Sequence, residues 1–194
     1  MEESEYSADN KGDYTGALVT RLRSLTTGIN GLIFNADEIS MEELFDTNVI
    51  VDLSRIGSTE TKSLIMGLLV LKLQEYRMGV SEANQHLKHV TVLEEAHNLL
   101  KRTSSEQSSE SGNLLGKSVE MLANSIAEMR TYGEGFIIAD QSPGLLDMSV
   151  IRNTNTKIIL RLPDYEDREL VGRAAGLNDE QIVELAKLDN GVAA

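Results

Sequence analysis

The residues best suited to chemistry stand together in one octapeptide, Val90–His97 (VTVLEEAH). A hydrophobic run ends there in two consecutive carboxylates, Glu94 and Glu95, at the carboxyl edge where open α/β sheets bind ligands. In P-loop enzymes one acid at this position helps to hold magnesium, often through water. A second polarises the attacking water, because phosphoryl transfer depends mostly on positioning and electrostatics. Here Glu94 would serve the metal and Glu95 the water, although Glu94 stands where an aspartate is more usual. The same pair also reads as two acids that close a strand and open a helix, where negative charge is favoured. An independent hydrolase using both as paired acids is disfavoured, since neighbours on a strand point to opposite faces. His97, in the first turn of the following helix, reads as structural.

A second apolar run, Phe136–Gln141 (FIIADQ), ends in an amide. On a neighbouring strand Gln141 would lie beside Glu95, placed to sense a γ-phosphate or to orient water. Its other reading is a turn residue ahead of Ser142-Pro143-Gly144. Arg130, in EMRTYGEGF, closes a helix just before this run. It is either an arginine finger reaching the nucleotide of a neighbouring subunit or a favourable charge at a helix C-terminus. Arg152 and Arg161 are weaker candidates of the same kind. Gly116-Lys117-Ser118 imitates the end of a phosphate-binding loop. That loop requires G-x-x-x-x-G-K-[ST] after a strand, so that successive amides cradle phosphate. Position 111 is serine, and a polar segment precedes it. Asp52 is a further acid, either near the site or capping the turn that follows it.

The elements that must position these residues follow from hydrophobic spacing. Helical periodicity runs from Tyr14 to Thr26 (Ala17, Leu18, Leu22, Leu25), with Gly28 and Gly31 expected to stop it. Asn48–Leu53 (NVIVDL), His89–Leu93, Gly135–Ala139 and Thr156–Leu162 (TKIILRL) read as short strands covered on both faces. A helix is expected from Thr59 to Met78, with Glu60 in its first turn. Leu64, Ile65, Leu68, Leu69, Leu71 and Leu73 wrap much of its surface, so it should be well buried. A further helix spans Leu114–Thr131. Two short helices follow Pro163-Asp164, separated at Gly176, with Asn178 and Gln181 forming a capping box for the second. Strands alternating with helices predict an α/β fold with a mostly parallel sheet. Residues 1–13 read as a flexible lead-in and residues 14–194 as one domain. Within it, the Ser- and Glu-rich stretch 103–112 reads as a mobile loop. The terminal DNGVAA reads as the start of another strand, so the expectation is that the sequence is cut there.

Composition narrows the class further. The 194 residues include 18 basic and 31 acidic side chains, a formal net charge of −13, which argues against a free-standing nucleic-acid binder. With no cysteine, disulfides and thiolate metal sites are excluded, which suits a reducing cytoplasm. Aromatics make up 4% and tryptophan is absent, so the core must be aliphatic. Neither a signal peptide nor an apolar run long enough to span a bilayer is visible.

In combination, NVIVDLSRIGSTETKSLIMGLLVLKLQEYR, VTVLEEAHNLL, AEMRTYGEGFIIADQSP and RNTNTKIILRLPD resemble the HerA/FtsK-type motor ATPases, specifically the HerA-like helicase central domain. The order and spacing match the part of that domain after its Walker A segment, from about Tyr14 onward. The resemblance implies a RecA-like sheet with helices on both faces, and hexameric rings that couple ATP hydrolysis to DNA translocation. It also implies roles for individual residues: Glu95 as the catalytic (Walker B) glutamate, Gln141 as the sensor and Arg130 as the finger between subunits. The family's glycine-rich loop is missing. The chain is therefore expected to be the C-terminal part of a larger cytoplasmic ATPase whose parent uses ATP and magnesium. Alone it should bind neither tightly and should be inactive. The alternative is a non-enzymatic α/β scaffold derived from a P-loop enzyme.

Overall fold

The computed structural model describes residues 8–34, 37–102 and 110–194, apart from the side chains of residues 8–14, 21, 29, 30 and 110–115. The chain separates into two compact units, Met1–Ile50 and Val51–Ala194.

The first unit is helical where it is described. Helix α1 (Ala8–Leu25) begins within the segment read as a lead-in, and its apolar residues Leu18 and Leu22 are exposed. Gly28, at φ 60°, opens α2 (Gly28–Phe34), so it breaks the first helix as expected. Gly31 does not: it lies inside α2, because a lone glycine lowers helix stability without ending the helix. Helix α3 (Met41–Phe45) is capped by Ser40, whose hydroxyl accepts from the Glu43 amide at 3.1 Å.

The second unit opens at a turn in which the Asp52 carboxylate accepts from the Ser54 amide at 2.8 Å. That backbone bond, followed by the Ser54 hydroxyl, holds the Asp52 pKa below its ordinary value. Asp52 is thus a turn cap. Ser58 then caps α4 (Thr59–Val80), and Glu60 stands in its first turn. The helix is rich in apolar residues but buries only some of them. Ile65, Val70 and Leu73 are buried, whereas Leu64, Leu68 and Leu71 are exposed, so the helix is less buried than expected.

Strand β1 (His89–Glu94) pairs in parallel with β2 (Glu134–Ala139), in a register running from His89↔Glu134 to Glu94↔Ala139. Helix α5 (Glu110–Met129) and a 3-10 turn at Arg130–Tyr132 connect them, as a parallel pair requires. Residues 103–109 of the expected mobile loop lie outside the described residues, and its last three open α5. The unit is thus mixed helix and strand around a two-stranded parallel sheet, compatible with the α/β class. Leu93 is buried, but Val90, Val92 and Ile137 on the opposite pleat are exposed, so the sheet is not covered on both faces among the described residues.

The two other expected strands form no ladder. Residues 48–53 belong to no regular element, with Ile50 94% exposed. A β-branched run has local preference for extension but needs a partner's backbone to complete a strand. In residues 156–162, Ile159 exchanges two 2.9 Å bonds with Ala194, and the Leu162 amide donates to Leu185. This segment pairs with the end of the chain instead of with β1 or β2.

Helix α4 packs on α5, and α5 packs on α6 (Met148–Asn153). The buried residues of the unit are mostly aliphatic, among them Val70, Leu73, Leu100, Val119 and Val150. Asp164 caps α7 (Tyr165–Ala174), Gly176 at φ 79° follows it, and the Asn178–Gln181 capping box starts α8 (Asp179–Glu184) as expected. At the amino ends of both strands a buried network fixes the sheet. Glu134, 1% exposed, accepts from Arg77 Nε at 2.9 Å and Thr91 Oγ1 at 2.7 Å, and meets His89 Nδ1 at 2.8 Å. No described helix is long and apolar enough to cross a membrane.

Candidate functional site

The register of the two strands decides what meets at their carboxyl ends. Because Glu94 pairs with Ala139, the next residues, Glu95 and Asp140, leave the sheet side by side. Glu95 turns sharply there. Its backbone is left-handed (φ 49°, ψ 48°), which is uncommon for a residue other than glycine, asparagine or aspartate. Its carbonyl accepts from the Asn98 amide at 2.9 Å and from Asn98 Nδ2 at 3.0 Å. Ser63 Oγ on α4 donates to the Asn98 carbonyl, tying this turn to the long helix.

Gln141 Nε2 donates to Glu95 Oε1 at 2.5 Å, across 46 residues of sequence. The structure therefore brings together the two residues predicted to lie side by side. The Glu95 side chain is 46% exposed and Gln141 is also exposed, so the pair is open to a ligand or water. Glu94, the last residue of β1, is exposed. Arg130 is exposed in the 3-10 turn before β2, at the end of the strand opposite Gln141. Within one chain it is not brought to the Glu95–Gln141 edge. Arg152, in the last turn of α6, is also exposed. Gly116-Lys117-Ser118 lies within α5, where a helical backbone holds its amides and forms no phosphate cradle.

Two further residues complete the site: His97, read from the sequence as structural, and Asp140, to which the sequence reading gave no role. The Asp140 side chain, 3% exposed, accepts from both the backbone amide of His97 (2.8 Å) and its ring Nδ1 (2.9 Å) through Oδ2. Its Oδ1 accepts from the Ser142 amide at 2.9 Å. With a carboxylate as acceptor, the proton of the neutral ring sits on Nδ1. The signal in the sequence was position alone: each residue lies within two places of a predicted site residue.

Glu95, His97 and Asp140 also form a group of potential metal donors whose ligand atoms all lie within 4.8 Å of one another. The set suits magnesium poorly, because that ion prefers oxygen ligands and an imidazole favours transition metals. Its donors are moreover engaged with one another and with backbone amides, as the bonds of Asp140 and Glu95 show.

No family model matches the chain. A stretch of 67 residues is 37% identical to the probable DNA double-strand break repair helicase HerA of Methanocaldococcus jannaschii. The match covers 34% of this chain and 13% of that helicase. Over that stretch the chain is similar to a HerA-type helicase.

Proposed function

We propose that this chain is part of an ATP-dependent motor ATPase of the HerA type, and that it carries the water-positioning side of the hydrolytic site. The observation that carries the reading is the 2.5 Å contact between Glu95 and Gln141 at the carboxyl edge of a parallel β-pair. A carboxylate there accepts hydrogen bonds from a water and turns its lone pair toward a γ-phosphate. An amide beside it fixes the carboxylate's orientation and offers a second hydrogen-bonding group to the same water. The partial likeness to a DNA repair helicase supports the same class.

On this reading the finer fold of the second unit, Val51–Ala194, is RecA-like but incomplete, and the protein is cytoplasmic. Glu94 would hold magnesium, which when bound neutralises charge on the phosphates. Arg130 suits a role between subunits of a ring better than a role within one subunit, because it stands at the far end of β2 from Gln141. DNA would be the track of the assembled motor. The phosphate cradle would come from a glycine-rich loop outside this sequence, so the 194 residues alone would bind ATP weakly and not hydrolyse it.

The test is ATP hydrolysis by this chain beside a version extended upstream to a P-loop, each with and without duplex DNA. Activity in the extended form alone, abolished by Glu95→Gln, is the expected result. Activity in neither form would favour a non-enzymatic scaffold derived from such an enzyme. Hydrolysis by the 194 residues alone would overturn the assignment of the phosphate site.

A further inference from the structure

The ladder between β1 and β2 ends at Glu94↔Ala139, and the Glu95–Gln141 contact lies just beyond it. Both side chains are long and substantially exposed, and an exposed polar contact holds flexible side chains weakly. Something other than the contact itself must keep the two loops in step. Asp140 stands between Ala139, which closes the ladder, and Gln141, which touches Glu95. Through Oδ2 it binds the Glu95 loop twice, at the His97 amide and ring, and through Oδ1 it binds its own loop at Ser142. It is the buried member of the group, its side chain 3% exposed.

We propose that Asp140 is a positioning residue: by clamping His97 it holds Glu95 within reach of Gln141, without touching the reacting atoms itself. This rests on the reading of Glu95 as the water-polarising group. Each oxygen of Asp140 faces an N–H donor, so only a side chain with two acceptors satisfies both loops. An asparagine of the same shape turns its NH2 toward either the Ser142 amide or the His97 amide. One loop then loses its anchor, and a buried donor is left facing a donor.

The decisive measurement is the NMR signal of the Gln141 side-chain amide in the 194-residue chain, compared between the wild type and Asp140→Asn. In the wild type it should be displaced from the free-amide position and slowed in exchange with water. In Asp140→Asn that displacement and protection should be lost, while the backbone amides of β1 and β2 keep theirs. Loss of thermal stability alone, with the Gln141 signal unchanged, would reduce Asp140 to a structural role and overturn the proposal. Should Asp140→Asn fail to fold, His97→Ala removes the ring bond and leaves the backbone bond. A shift of the Gln141 signal toward the free amide is then expected, and an unchanged signal overturns the proposal equally. Neither result depends on hydrolysis. A responsive Gln141 together with an inactive extended chain would sink the ATPase reading and leave the positioning role standing.

Discussion

A left-handed glutamate costs roughly 1–2 kcal/mol relative to ordinary backbone. Glu95 (φ 49°) keeps that conformation because its carbonyl is held twice by Asn98 and its neighbour His97 is held twice by Asp140. At that left-handed turn the Glu95 carboxylate meets Gln141 from the loop after β2. In Glu95→Gln the side-chain carbonyl can still accept from Gln141 Nε2, so the turn and its contacts survive. Stability should therefore move by less than about 1 kcal/mol, as read by denaturant unfolding. In the P-loop-bearing form the same change should remove hydrolysis, because an amide cannot take a proton from water. A large loss of stability would instead mark Glu95 as a structural residue whose charge the fold requires.

At the scale of elements, the carboxyl ends of the strands are open and their amino ends are locked. Glu134 is fully enclosed by Arg77 of α4 and by His89 and Thr91 of β1, so one carboxylate joins three elements. Removing one partner of a buried ion pair typically costs about 3–5 kcal/mol. Glu134→Ala should therefore lower the unfolding free energy by that order, measured in urea, whereas Glu134→Gln, which keeps an acceptor, should lose less. The preceding Gly133 has φ 84°, and a Cβ there would stand 2.6 Å from the His86 carbonyl oxygen. Gly133→Ala must move backbone, and should destabilise by more than the roughly 1 kcal/mol that a positive φ alone costs.

Elements of this kind were legible where the information is local. The Thr59 helix start, the Asn178–Gln181 capping box and the β1 and β2 runs all rest on neighbours within a few residues. Where pairing partners decide, local pattern fails: NVIVDL and TKIILRL have strand composition, but one lies in no element and the other pairs through Ile159 with Ala194. The site shows the same division. Glu95 and Gln141 followed from strand ends. The His97–Asp140 clamp spans 43 residues and exists only because the register ends at Glu94↔Ala139.

For the whole molecule, charge sets what the chain can touch on its own. Binding to duplex DNA without sequence preference is driven by counterion release, and each phosphate neutralised by Lys or Arg adds to its salt dependence. This chain has 18 such side chains against 31 carboxylates, a net charge of −13, so its overall field repels a polyanion. A motor built from it would need to contact DNA through a local basic loop facing a central pore or through another part of the protein. The 194 residues alone should therefore show no duplex binding by fluorescence anisotropy at physiological salt up to about 100 μM, the weak end of ordinary non-specific affinity. The P-loop-bearing form, if assembled as a ring, should bind and should lose that binding as salt rises. Salt-dependent binding by the short chain would reveal a basic surface strong enough to overcome the net charge, and would move the DNA contact into these 194 residues. Binding that ignores salt would point away from phosphate contacts and from a translocating motor.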